Sequence, residues 1–135
     1  MTLQVSVAVQ NARLDAIEST IGTDAVLKIF DGSLPADCGT ADAGTVLATL
    51  ALPTDYMAAA SSGSKAKSGT WEDTSADASG SADYFRLYAS DGTTCHMQGT
   101  VTGTGGGGDM EVDNINFAAG QNFEVTSFTI TDGNA

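Results

Sequence analysis

The chain has 135 residues, and its 17 Asp+Glu against 5 Lys+Arg give a formal net charge of −12. That field repels the phosphate backbone on which nucleic-acid affinity mostly rests, and so argues against direct DNA or RNA binding. No apolar run approaches the ~20 residues of a membrane span, and no basic stretch precedes an apolar one at the N-terminus, so the expectation is a protein made and folded in a cytoplasm, away from membranes.

The length fits one domain, 1–135, with an N-terminal arm and helix over 1–22 and a β-sandwich over 23–135. Folding at this size buries roughly two-thirds of the surface of the unfolded chain. Val7, Leu14, Ile17 and Ile21 fall on one helical stripe, and Gly22 follows where a C-cap would sit, predicting one helix from Val7 to Ile21. Met1 to Ser6 precede it as an arm or a frayed tail.

From Ala25 onward the pattern is strand and turn, and the 16 glycines suit it. Strands are expected at AVLKIF (25–30), TVLATLAL (45–52), DYMAAA (55–60), KAKSGTW (65–71) and ADYFRLYA (82–89), then near 94–101, 108–118 and 122–131. Eight short strands with frequent turns predict a mainly β fold, an antiparallel sandwich of jelly-roll type with one N-terminal α-helix.

Side-chain parity registers two hairpins, because residues opposite each other in an antiparallel pair share a face. Around Asp91-Gly92-Thr93, setting Ser90 against Thr94 pairs Ala89 with Cys95 and Leu87 with Met97, an apolar inner face. Tyr84, Arg86, Tyr88, His96 and Gln98 then point outward together. Around Ala119-Gly120-Gln121, Phe117 pairs with Phe123, Ile115 with Val125, Val112 with Phe128 and Met110 with Ile130. The apolar parity flips at Asp113-Asn114 and at Thr126-Ser127, so both strands are expected to bend there.

Gly103 to Gly108 form a formal G-x-G-x-x-G, but a dinucleotide site needs a helix after it, and the residues that follow are the strand-like DMEVD. The run is expected to be an exposed, mobile hairpin loop. Asp109, Glu111 and Asp113 share a strand face that could hold a hard cation or supply paired carboxylates, or could simply be solvated; Asp73 to Asp77 lacks the glycine and distal glutamate of an EF-hand. Glycoside hydrolysis needs two carboxylates flanking a cleft, which sequence does not place. Cys95 and His96 are neighbours on a strand and so face opposite ways, which excludes a hydrogen-bonded dyad. Cys38 and Cys95 lack a C-x-x-C spacing and are expected as two buried thiols, with a disulfide between them as the alternative. No catalytic, cofactor-binding or metal site is assigned, and the expectation is a protein that is not an enzyme.

The Tyr84, Arg86, Tyr88, His96 and Gln98 patch has residue types favoured at protein interfaces, and its aromatics would also suit a sugar ring. Its alternative is an ordinary solvated face. Trp71 is expected as a core or edge anchor, with Lys65 and Lys67 guarding an edge strand against unwanted pairing.

Four blocks, NARLDAIESTIG (11–22), VLKIFDGSLP (26–35), DTSADASGSADYFRLYASDGTT (73–94) and FEVTSFTITDGNA (123–135), resemble small virion proteins of tailed bacteriophages and prophages. The resemblance implies a structural protein of the particle: a capsid decoration, or cement, protein on the outer head shell, with a tail or head-to-tail connector component as the alternative. It implies the major capsid protein as partner, a homo-oligomer as a further possibility, and a place on the virion surface after synthesis in the host cytoplasm. The N-terminal segment and the tyrosine–arginine face are the candidate contacts. A carbohydrate-binding β-sandwich module remains the reading from another class.

Overall fold

The computed structural model describes residues 3–132. Helix α1 (Val7–Ile21) is followed by β1 (Val26–Phe30), β2 (Val46–Ala51), β3 (Ser64–Ala66), β4 (Glu72–Asp73), β5 (Gly80–Ser81), β6 (Tyr84–Tyr88), β7 (Cys95–Gly103), β8 (Met110–Val112), β9 (Asn116–Phe117) and β10 (Phe123–Thr131). The domain is mainly β with one N-terminal helix, and its large sheet is mixed.

The helix has the expected bounds. Ser6 caps its start, its side-chain oxygen accepting from the Val9 N–H, and Gly22, at φ 86°, closes its end by donating to Glu18 C=O. Leu14 and Ile21 are buried and Ile17 packs against the core, whereas Val7, expected on the same stripe, is half exposed. Met1 and Thr2 of the expected arm lie outside the described residues.

The large sheet runs β2-β1-β6-β7-β8-β10-β3, with β4 also on β10, while β5 and β9 form a separate pair. Among the described residues this path does not close into a barrel. The antiparallel expectation is corrected at one place: β7 and β8 are parallel, with Val101 opposite Met110 and Gly103 opposite Val112. Parallel neighbours usually need a crossover of about a dozen residues or more. Here residues 104–109 reverse the chain over itself, and a Cβ on Gly106 or Gly108 would lie 2.7 and 2.8 Å from the Thr102 side chain. Gly108 N–H donates to Thr102 Oγ1 at 2.9 Å, and Gly106 N–H to Gly103 C=O. The glycine run is thus a reversal between parallel strands that packs on Thr102, in place of the expected hairpin tip.

Two register expectations are also corrected. In the β6–β7 hairpin Leu87 meets Met97 as expected, but a bulge at His96 sets Cys95 against Tyr88 rather than Ala89. In the last region Val112 meets Val125 and Met110 meets Phe128, with Thr126 as the extra residue of a bulge. The bend expected on this strand is present, while β9 leaves to pair with β5. Phe117 and Phe123 still pack their rings together, centroids 4.6 Å apart and planes tilted by 40°, without sharing a ladder. DYMAAA forms no strand: Tyr56 and Met57 are consecutive and both buried, which a pleated strand with one apolar face does not allow.

The main core is built from Leu27, Ile29, Leu47, Leu50, Phe85, Leu87, Met110, Val112, Val125 and Phe128, with Trp71 at its centre. Trp71 is fully buried, as expected of an anchor, and its indole N–H donates to the carbonyls of Tyr56 and Ser68. A second, smaller cluster, Phe30, Tyr84 and Tyr88, lies on the other face of β1 and β6.

Candidate functional site

The candidate contact residues Tyr84, Arg86 and Tyr88 stand on one face of β6, opposite Phe30, Lys28 and Val26 of β1 and beside Thr100, Gln98 and Cys95 of β7. That face was expected to meet solvent. Instead all five residues of β6 are buried, with Arg86 only 3% exposed, because the segment 31–45 folds across it.

The cover is held by side chains of the sheet that reach its backbone. Arg86 Nη2 donates to the carbonyls of Asp37 and Thr40, at 3.0 and 2.7 Å, while its Nε donates to Gln98 Oε1 at 3.1 Å. Gln98 Nε2 in turn donates to Pro35 C=O, and the Tyr84 hydroxyl both accepts from Ala43 N–H and donates to Ala43 C=O. A guanidinium suits this role because its planar fork offers several donors in fixed directions, enough for two loop carbonyls and the Gln98 amide at once. Burial pushes the Tyr84 and Tyr88 phenols up, so both stay protonated well into the alkaline range. Phe30 and Tyr84 stack at 4.7 Å, and Lys28 Nζ lies 4.9 Å above the Tyr88 ring. Tyr84, Arg86, Tyr88 and Gln98 therefore act together, but as the floor beneath a loop. His96 is separated from them by the bulge; it is exposed and lines a small cleft with Arg13 and Ile17 of α1.

Cys95 and His96 diverge as expected. Cys95 Sγ points under the loop and lies 2.7 Å from Cys38 Sγ, both residues being half-buried rather than the buried thiols expected.

A second polar cluster, not anticipated from the sequence, joins α1 to the edge strand β3. Lys65 is 2% exposed, and its Nζ lies 2.8 Å from Asp15 Oδ1 and 2.8 Å from Glu18 Oε2. It also donates to Ala58 C=O at 2.9 Å. Lys65 was expected to guard an edge; β3 does lie at the end of the sheet path, but the lysine turns inward to the helix. Burial works against its charge, yet the hydrogen bonds and charges of Asp15 and Glu18 outweigh it and hold the ammonium above the ordinary lysine value. The only sequence signal was the Asp15/Glu18 spacing, three apart on one helix face. A cleft of about 520 Å³ opens beside this triad, lined in part by Asp15, Glu18, Thr23, Tyr56 and Lys65. The Tyr56 hydroxyl donates to Gly22 C=O at 3.2 Å, and burial, followed by the charge of Glu18, pushes its phenol up to about 12. In this cleft the cation is committed to two carboxylates and the phenol keeps its proton.

The acidic strand residues are bound into local structure. Asp109 accepts from Thr100 N–H and Oγ1, Glu111 from Gly107 N–H, and Asp113 from Glu124 N–H. Asp73 and Asp77 both accept from Thr49, through its N–H and its hydroxyl. Among the described residues no group of three or more His, Cys, Asp or Glu is arranged to hold a metal ion, and no helix is long and apolar enough to cross a membrane.

The large apolar side chains most exposed on the described surface are Leu3, Val7, Val9 and Leu34, at 84, 52, 44 and 42%. Three of them lie at the N-terminal end of the chain, before and within the first turn of α1. No family model, curated protein or solved structure matches the chain.

Proposed function

We propose that this chain is a structural protein of a tailed-phage particle, a capsid decoration protein that binds the outer head shell, with the major capsid protein as its partner. The observation that carries the reading beyond the resemblance of the blocks at 11–22, 26–35, 73–94 and 123–135 is the exposure of three large apolar side chains, Leu3, Val7 and Val9, in the N-terminal segment of an acidic domain. Apolar side chains exposed close together in the chain give this segment surface that a partner can bury, and a net charge of −12 keeps many copies soluble until they meet the shell. With the tyrosine–arginine face covered, the contact falls to the N-terminal segment. The sugar-binding alternative loses the aromatic platform on which it rested.

In architecture we read the domain as a sandwich of jelly-roll kind. The bulge at Thr126 and the exchange of partners along β10, from β4 to β8 to β3, support that reading.

The mechanism is mass action. A protein that binds only the expanded shell lowers the free energy of that state by RT ln(1 + [L]/Kd), and simultaneous contact with several subunits makes weak individual contacts sufficient. Nothing covalent is required of it, and the protein works without cofactor or metal.

Gold-conjugated antibody against the chain, applied to purified particles and viewed by electron microscopy, should label the head uniformly. Label at the neck or tail would move the assignment to a tail or connector component, and unlabelled intact particles would overturn it. Leu3→Glu with Val7→Glu should lower occupancy on the head at least tenfold while leaving the thermal midpoint of the free domain unchanged, since both side chains are exposed.

A further inference from the structure

The segment 31–45 crosses one face of the sheet and is held there by hydrogen bonds from Arg86, Gln98 and Tyr84. Within it, Cys38 comes to 2.7 Å from Cys95, the first residue of β7, which is paired with Tyr88 in the adjoining strand. The two sulfurs are in direct contact while unbonded, so the fold has already supplied the approach of groups 57 positions apart in the chain. Both side chains are half-buried, so a small reagent can reach them.

We propose that Cys38 and Cys95 are a site of thiol–disulfide exchange, taking a low-molecular-weight disulfide such as oxidised glutathione and closing into an intramolecular bond that fastens the 31–45 cover to the sheet. The Cys38 thiolate attacks one sulfur of the reagent, forming a mixed disulfide and releasing one glutathione thiolate. That thiolate is protonated by water, and Cys95, no longer hydrogen-bonded to a Cys38 thiol, loses its proton to the hydroxide so formed. The Cys95 thiolate then attacks Cys38 Sγ and expels the second glutathione, which takes a proton from water. Two protein thiols are oxidised and one glutathione disulfide is reduced to two thiols. The order of attack follows from the surroundings: burial, and then the hydrogen bond with Cys38, push the Cys95 thiol up to about 12, so Cys95 is not the thiol that attacks first.

The site is independent of the proposed place on a particle. It fits a chain that passes from a reducing cytoplasm to an oxidising medium, because such a bond is absent in the first and persists in the second. A cover held by hydrogen bonds alone during folding would then become covalently fixed.

The test uses the full chain, reduced with dithiothreitol and then incubated with oxidised glutathione at neutral pH. A monomer lighter by two hydrogens is expected, with a Cys38–Cys95 crosslinked peptide in the non-reduced digest. Its thermal midpoint should lie about 10 °C above that of the reduced form, since the bond removes freedom from a long loop of the unfolded chain. Cys95→Ser should accumulate glutathione on Cys38, and Cys38→Ser should react much more slowly and show no redox-dependent midpoint. Two thiols persisting through the incubation, covalent dimers in place of the monomeric product, or a redox-dependent midpoint retained in Cys38→Ser would each overturn the proposal.

Discussion

Lys65 and Arg86 are both buried cations, at 2 and 3% exposure, and they are neutralised in different ways. Lys65 meets two carboxylates that remain partly in water, Asp15 at 48% and Glu18 at 23% side-chain exposure. Arg86 meets carbonyl dipoles and an amide, and no carboxylate lies within ion-pair distance of it among the described residues. The first is a point charge between point charges; the second is a planar donor array holding down a loop. Removing either cation therefore leaves a different result: acids that stay partly in water at one site, and a loop that loses the shared donor of two of its carbonyls at the other.

The largest effect is expected at Arg86. Arg86→Met should cost about 2–3 kcal/mol in urea unfolding and strip amide-exchange protection from residues 36–45, since the Asp37 and Thr40 carbonyls lose their donor. Arg86→Lys should recover only part of this, because one ammonium cannot serve both carbonyls and Gln98 together. A fully stable lysine variant would show that charge, and not the fork, holds the cover. Next in size is an asymmetry at the helix: Glu18→Gln, which leaves Lys65 buried with one acid fewer, should cost about 1–2 kcal/mol, and Lys65→Met less than about 1 kcal/mol. The reverse order in urea midpoints would place the desolvation cost on the carboxylates.

The smallest and sharpest contrast comes from pH. Lys65 has a folded-state value above its unfolded 10.5, so its contribution is complete below 10.5 and is lost as pH rises through the higher folded value. The stability gap between wild type and Lys65→Met should shrink above pH 10.5, while that between wild type and Arg86→Met holds over the same interval. At the acid end the sign reverses. The hydrogen bonds from Lys65 and from Ala60 N–H hold Asp15 below its ordinary 3.8, so its contribution is present above that value and is lost as pH falls through the lower one.

These two sites also mark how far the sequence could be read. Helix α1 was legible to its termini because a stripe and a glycine cap coincide, and β1, β2, β6, β7 and β10 were legible from apolar alternation. The alternation of YFRLY placed Phe85 and Leu87 inward correctly and left Tyr84, Arg86 and Tyr88 for the solvent. What covers them is a polar segment, and it does so through backbone carbonyls, which every residue possesses and no sequence pattern marks. Lys65 misled for a related reason, since an inward lysine is recognisable only once its acids on a distant helix are known. β4 and β5 are two polar residues each, too short for any periodicity, and the parallel return of β8 depends on glycines whose role is to be absent beside Thr102.

The position of β10 sets when this domain can assemble on the ribosome. The strand pairs with β8, β3 and β4, and its Phe128 ring touches both Trp71 and Phe85. Until residues 123–131 have emerged from the exit tunnel, β3 and β4 have no ladder partner in the large sheet and the centre of the core stands open. A nascent chain arrested before that point presents an aggregation-prone apolar surface.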